Sequence, residues 1–236
     1  MAKLNKEILC TLGPSSLNPH VITRLTDLGV NLFRINLSHT NVEDLPEIIS
    51  FIQSLTKVPI CLDTEGAQVR TGRFDFDLTL KETDILKISN NSETDAINLY
   101  PNYIYKELKV GDILTIDFNS VMVQIIEKTN EVTICRVMTG GSIKKNKAVT
   151  IHRPLKLSPL TKKDIECLKI GLKFGLKHYA LSFANIAKDV EYIKSIVGEN
   201  KFIISKIESI KGLKNIDEIS KISDALIIDR GDLSRE

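Results

Sequence analysis

At 236 residues the chain has room for one large domain or two smaller ones, and 42% hydrophobic with 26% charged residues is ordinary globular composition. A formal net charge of +2 exerts no strong pull toward nucleic acid or an anionic membrane. No apolar run approaches a membrane span and no signal-peptide pattern precedes Lys3; Cys10, Cys61, Cys135 and Cys167 share no CxxC or Cys/His ligand spacing, so reduced thiols in a cytoplasmic protein are expected.

Residues 7–12 are strand-like and run into the turn Gly13-Pro14-Ser15-Ser16. Asn18-Pro19 then has the order of a helix cap and first helical position; Val21, Ile22, Leu25 and Leu28 make the apolar face, and Gly29 stops it. Residues 30–39 alternate cleanly, with Phe33, Ile35 and Leu37 on one side and Arg34, Asn36 and Ser38 on the other. A buried strand carries a polar face of this kind when a site needs it. A helix over about 46–55 and a strand over 58–62 follow, the strand ending in Asp63 and Thr64. This βαβαβ rhythm argues for a parallel sheet.

From about residue 73 to 149 the rhythm breaks into short β pieces, LKIS, DILTID, VMVQII and VTICRVM, separated by turns such as Lys109-Val110-Gly111-Asp112. An inserted β domain is expected there, between a first barrel segment at 1–72 and a second at 150–236. Helical periodicity resumes with a capping-box start, Thr161 and Asp164, and with Ile165, Leu168 and Leu172 behind it. Strand starts near 179, 202 and 225 are evenly spaced, a regular βα repeat. Leu213, Ile216, Ile219 and Ile222 predict one amphipathic helix between the last two. The total is six βα-type strands, where a closed barrel of this kind has eight.

The strands at 202 and 225 break abruptly into charge, Ser205-Lys206-Ile207-Glu208 and Asp229-Arg230-Gly231-Asp232. On an extended chain Lys206 and Glu208 face the same side, roughly 6–7 Å apart, and Asp232 can reach the same space. Two carboxylates from neighbouring strands suit Mg²⁺, and a lysine beside them suits a developing oxyanion. The plainer alternative is a set of solvated charges at strand ends.

KIES followed by RGDL resembles the pyruvate kinase family, with its KIE and ARGDL strand ends, and the likeness runs the length of the chain. RINLSH resembles R-x-N-F-S-H, LDTEGAQVRTG resembles LDTKGPEIRTG, and GGSIKKNKAV resembles GGSLGSKKGV. The resemblance implies an α/β, (β/α)8-type TIM barrel, incomplete at six strands, with a small β-barrel lid inserted after strand three. It implies phosphoryl transfer between phosphoenolpyruvate and ADP, giving pyruvate and ATP, with Mg²⁺ (or Mn²⁺) and K⁺ as cofactors. Arg34 would then bind the substrate phosphate, and Lys206 would be the transition-state lysine. Glu208 and Asp232 would hold the divalent metal; Asn36, Ser38, Asp63 and the Thr64 carbonyl would hold K⁺. Gly231 and Asp232 would bind the substrate carboxylate through backbone amides, and Asn36, Arg70 and Lys147 would face the nucleotide.

Departures from the pattern are Glu65 for Lys, Ala67 for Pro, Gln68 for Glu, Asp229 for Ala, and Ile116-Asp117-Phe118-Asn119 for IDDG. Glu65 is expected to reverse a charge close to the phosphates, and Asp229 to add one at the metal. Strands seven and eight and the family's C-terminal domain have no counterpart, so a piece of a longer protein is expected; the alternative is a short chain closing its barrel by self-association. A metal-dependent lyase working through a pyruvate enolate, and a non-catalytic ligand-binding relative, are the other functions open at this point. Ser182 and Phe183 match a family pair but read more simply as packing; His39 and His178 read as turn or cap residues, Lys144-Lys145 and Lys162-Lys163 as solvated faces.

Overall fold

The computed structural model describes residues 6–72, 74, 78–90, 95–117 and 120–234. The chain divides into two compact units, residues 1–67 with 158–236, and residues 68–157. The insertion boundary expected at Arg73 and the lid residues Phe118 and Asn119 lie outside the described residues.

The first unit is built on a six-stranded sheet: β1 (Leu9–Leu12), β2 (Leu32–Asn36), β3 (Ile60–Asp63), β4 (His178–Leu181), β5 (Phe202–Ile207) and β6 (Ala225–Ile228). Every neighbouring pair is parallel and the strands lie in chain order, β1 to β6. A doubly wound sheet reverses its order at a switch point, whereas a barrel wall does not. The fold is therefore α/β and barrel-like. Helices α1 (Pro19–Asp27), α2 (Leu45–Leu55), α3 (Lys162–Lys173) and α4 (Ala187–Val197) form the crossovers.

Caps set the helix starts. The Asn18 side chain accepts from the Val21 amide with Pro19 in the first turn, and Thr161 and Asp164 close a reciprocal capping box at α3. The single amphipathic helix expected after β5 is instead two, α5 (Ile210–Lys214) and α6 (Ile216–Ile222). Asn215 lies between them and donates its side-chain amide to the Asn185 and Lys211 carbonyls. Gly212 passes so close to Ala184 that a Cβ would stand 2.5 Å from its carbonyl oxygen. That contact fixes where the chain turns.

Because side chains alternate along a strand, the sheet has two different faces. Phe33, Ile35, Leu62, Tyr179, Leu181, Ile203 and Ile207 pack with the helices in one large core. On the other face Cys61, Ala180 and Ile204 form a small apolar layer, with Leu32, Ala225 and Ile227 against it. Two residues further along the same strands come Arg34, Asp63, Ser182 and Lys206. The interior thus changes from apolar to charged within one residue pair, at the carboxyl ends of the strands.

In the second unit a seven-stranded sheet takes the order Ile85–Ser89, Val132–Thr139, Val121–Lys128, Ile113–Ile116, Ala148–Ile151, Val69–Thr71, Leu99–Tyr100. All of these pairings are antiparallel. The unit has its own core, including Ile88, Ile97, Leu114, Val123 and Cys135. Among the described residues no helix is long and apolar enough to cross a membrane, and all four cysteines are free.

Candidate active site

Asp63, at the end of β3, is 1% exposed. Arg34 reaches it from β2, donating Nε to Oδ2 at 2.7 Å and Nη2 to the same oxygen, while Nη1 donates to Thr11 Oγ1 at 3.1 Å. Lys206, from β5, donates to Asp63 Oδ2 at 3.4 Å, to Ser182 Oγ at 3.1 Å and to Glu208 Oε1 at 2.9 Å. Glu208 takes a further hydrogen bond from the Phe183 amide to Oε2, at 2.7 Å. Phe183 holds φ of +51°, a conformation a bulky residue adopts only under constraint. Its amide is thereby aimed at Glu208.

Burial alone would pull the Lys206 ammonium down, but Asp63 and Glu208 outweigh it and hold the ammonium above its ordinary value. Glu208 lies above the usual carboxylate range, driven by burial, with Lys206 and the Phe183 amide opposing. Burial also pushes the Cys61 thiol up, out of reach of thiolate chemistry.

Ligand oxygens of Glu208, Asp229 and Asp232 lie within 4.8 Å of one another. Around Lys206 the unit assembles two cations, Arg34 and Lys206, and four carboxylates, Asp63, Glu208, Asp229 and Asp232. All donors are hard oxygens, the set that suits Mg²⁺ or Mn²⁺. The Gly231 amide, expected to meet a substrate carboxylate, donates to Asp229 Oδ1 at 3.0 Å.

The residues expected at a K⁺ site end β2 and β3. Asn36 Oδ1 accepts from the Ser38 amide at 3.0 Å in the short 3-10 turn Leu37–His39. The Thr64 amide donates to the Ala180 carbonyl at 3.0 Å, and Thr64 Oγ1 accepts from the Ser182 amide at 3.0 Å. These are oxygen donors of the kind a hard monovalent cation takes, and Asp63 Oδ1 accepts from Ser182 Oγ at 3.2 Å.

Arg70 and Lys147 belong to the second unit. Arg70 donates to the Asn146 carbonyl at 3.2 Å and Lys147 pairs with Asp117 at 3.1 Å.

At three residues the structure differs from the sequence expectation. Ser182, read as packing, bonds both Asp63 and Lys206. Lys163, read as a solvated face, donates to the Leu37 carbonyl at 2.6 Å and to Glu65 Oε1 at 2.8 Å. Glu65, expected to present a reversed charge, is buried and neutralised by that lysine, with Thr161 Oγ1 on its other oxygen at 3.3 Å. Lysine at position 163 and glutamate at 65 are far apart in the chain, so only the fold reveals the pair.

The chain matches the family model described as the barrel domain of pyruvate kinase over residues 3–236. It is 31% identical over 244 residues to pyruvate kinase of Borreliella burgdorferi, covering 100% of this chain and 51% of that protein. With the Thermotoga maritima pyruvate kinase it shares 32% identity over 245 residues, 98% of this chain and 52% of that one. With that of Thermoplasma acidophilum the figures are 31% over 241 residues, 99% and 43%. The chain spans about half the length of the curated relatives it matches. On the strength of the matched domain and of these relatives, the chain belongs to the pyruvate kinase family.

Proposed function

We propose that the first unit holds the phosphoenolpyruvate and divalent-metal site of a pyruvate-kinase-type phosphotransferase, converting phosphoenolpyruvate and ADP to pyruvate and ATP. The observation that carries the reading is the placement of Lys206 against Glu208, whose carboxylate lies with Asp229 and Asp232 at the strand ends. Glu208 and Asp232 would hold Mg²⁺ or Mn²⁺; Asn36, Ser38, Asp63 and the Thr64 carbonyl would hold K⁺. Bound by these residues, the divalent cation would supply positive charge to offset the negative charge of the phosphoryl group and the developing enolate.

Arg34 binds the phosphate, its planar fork matching phosphoryl oxygens. Lys206 directs its ammonium at the oxygen that becomes negative as the phosphoryl group leaves, in a buried setting where that charge interaction is strong. Phe183 keeps Glu208 oriented through its amide. The carboxylate of the substrate would compete with Asp229 for the Gly231 amide and meet the Asp232 amide beside it.

The second unit is proposed as a lid inserted after the third strand of a (β/α)8-type barrel. Arg70 and Lys147 on it would meet the ADP phosphates, Lys147 exchanging Asp117 for a phosphate oxygen; Asn36 would lie on the nucleotide side of the first unit. Catalysis needs both substrates in line, and a misplacement of about 1 Å costs about a hundredfold, so ligand binding is expected to be more robust than turnover. The four free cysteines accord with a reducing, cytoplasmic setting.

Calorimetry with phosphoenolpyruvate and pyruvate, with and without Mg²⁺, beside a coupled pyruvate assay, tests the reading. Metal-dependent binding of both, with turnover that Lys206→Met abolishes, is the expected result. Absence of any metal-dependent binding overturns it.

A further inference from the structure

Beyond the residues named so far for the reaction, we infer that Ser182 is a positioning residue, whose hydroxyl takes one N–H of the Lys206 ammonium and so fixes its place between Asp63 and Glu208. The inference rests on the functional reading above for what the ligand is, but not for the geometry.

Ser182 is 3% exposed and follows directly on β4. Its Oγ accepts from Lys206 Nζ at 3.1 Å and donates to Asp63 Oδ1 at 3.2 Å. A serine that merely fills space uses neither a lone pair nor its proton, and this one uses both. The hydroxyl bridges an ammonium and a carboxylate that also meet directly, so it ties both to the end of β4. Nζ stands 3.4 Å from Asp63 Oδ2, against 2.9 Å from Glu208 Oε1. An ammonium has three N–H donors, and here they have Glu208, Ser182 and Asp63 as partners. The hydroxyl is the only neutral one of the three.

Three features fix the hydroxyl in place. The Ser182 amide donates to Thr64 Oγ1 at 3.0 Å. Gly66, at φ of +73°, lies so close that a Cβ there would stand 2.6 Å from the Ser182 carbonyl oxygen and 2.8 Å from its Cβ. The next residue, Phe183, is held at φ of +51° by a backbone amide bond to Glu208. One short segment therefore sets Lys206 through a hydroxyl and Glu208 through an amide, and the two settings are separable by mutation.

The test uses the full 236-residue chain labelled with ¹³Cε-lysine, the Lys206 signal being assigned with Lys206→Met. Ser182→Ala is expected to shift and broaden the Lys206 Cε–Hε resonances while leaving the thermal midpoint within a few degrees. Ser182→Cys, of similar volume but a weak hydrogen bonder, is expected to fall between wild type and Ser182→Ala. In calorimetry, Ser182→Ala is expected to weaken Mg²⁺-dependent pyruvate binding about tenfold and to leave Mg²⁺ affinity within twofold, because Phe183 still holds Glu208. Unchanged Lys206 resonances in Ser182→Ala overturn the inference, whatever becomes of the functional reading. Wild-type chain that shows no metal-dependent pyruvate binding overturns the functional reading, and the resonances then decide the role of Ser182 alone. Equal losses of Mg²⁺ and pyruvate affinity overturn the separation of the two settings and, with it, the inference.

Discussion

Taking an ammonium out of water costs several kcal/mol unless partners make it up. Lys206 recovers the cost through two carboxylates and a hydroxyl, supplied by the ends of β3, β4 and its own strand. Removing it leaves Glu208 buried with only the Phe183 amide, while Asp63 keeps Arg34. Lys206→Met is therefore expected to lower stability by about 3 kcal/mol, the scale for breaking a buried pair, as read from a denaturant midpoint. Asp229 acts on the same ground with the opposite sign. It adds the third carboxylate of the cluster, so Asp229→Ala is expected to weaken Mg²⁺ binding about fivefold by calorimetry, roughly 1 kcal/mol. An unchanged affinity would show that Asp229 serves only to cap the short helix Arg230–Leu233.

At the scale of elements, one buried carboxylate caps the junction of β3 with α3, beside the Glu65 contacts to Thr161 and Lys163. Asp164 is fully buried and accepts from the amides of Thr161 at 2.9 Å, Glu65 at 2.7 Å and Gly66 at 3.3 Å. Burial outweighs these bonds and pushes its carboxyl up to about 6. The folded-state value lies above the unfolded one, so the native state binds this proton more tightly. The resulting stability is present in full below about pH 4 and is lost as pH rises through about 6. Its size is roughly 2–3 kcal/mol. Asp164→Asn is expected to remove that slope, so urea midpoints of wild type and variant should diverge between pH 4 and 7. Gly66 in the same turn tolerates no side chain: Gly66→Ala combines a left-handed φ with contact on Ser182. A loss of about 3 kcal/mol is expected, from roughly 1–2 for the backbone and the rest from overpacking.

For the molecule as a whole, the three carboxylates of Glu208, Asp229 and Asp232 lie within 4.8 Å of one another, and a cation bound there would offset their mutual repulsion. Mg²⁺ is accordingly expected to stabilise the chain by mass action, about 1.4 kcal/mol at ten times its dissociation constant. A thermal scan with and without Mg²⁺ should show an upward shift in the wild type and none in Glu208→Gln. A shift of equal size in Glu208→Gln would place the stabilising cation elsewhere. The second unit has a separate core of short antiparallel strands, so chelation is expected to leave its hydrogen-exchange protection unaltered.

Much of this was legible in the residue order, because it depends on period and local chemistry. Alternation in residues 30–39 put Arg34 and Asn36 on one face; spacing by two put Lys206 and Glu208 together; Asn18-Pro19 and Thr161 with Asp164 marked two helix starts. The even βα repeat foretold a parallel sheet, and the family motifs singled out Arg34, Asp63, Lys206 and Glu208, which the structure gathers at the strand ends. Contacts between residues distant in sequence were not legible. Nothing local to Ser182 says that its hydroxyl stands between residues 119 and 24 positions away. Glu65 looked like a charge reversal until the fold brought Lys163 to it from 98 positions along the chain. The break at Asn215 likewise goes with long-range contacts, Gly212 against the Ala184 carbonyl and the Asn215 side chain on the Asn185 carbonyl, which no helical periodicity records. Local sequence determined which elements form and which faces they bury, since propensity and period act over a few residues. Only the tertiary structure decided which charges neutralise one another, since that depends on distances across the sheet.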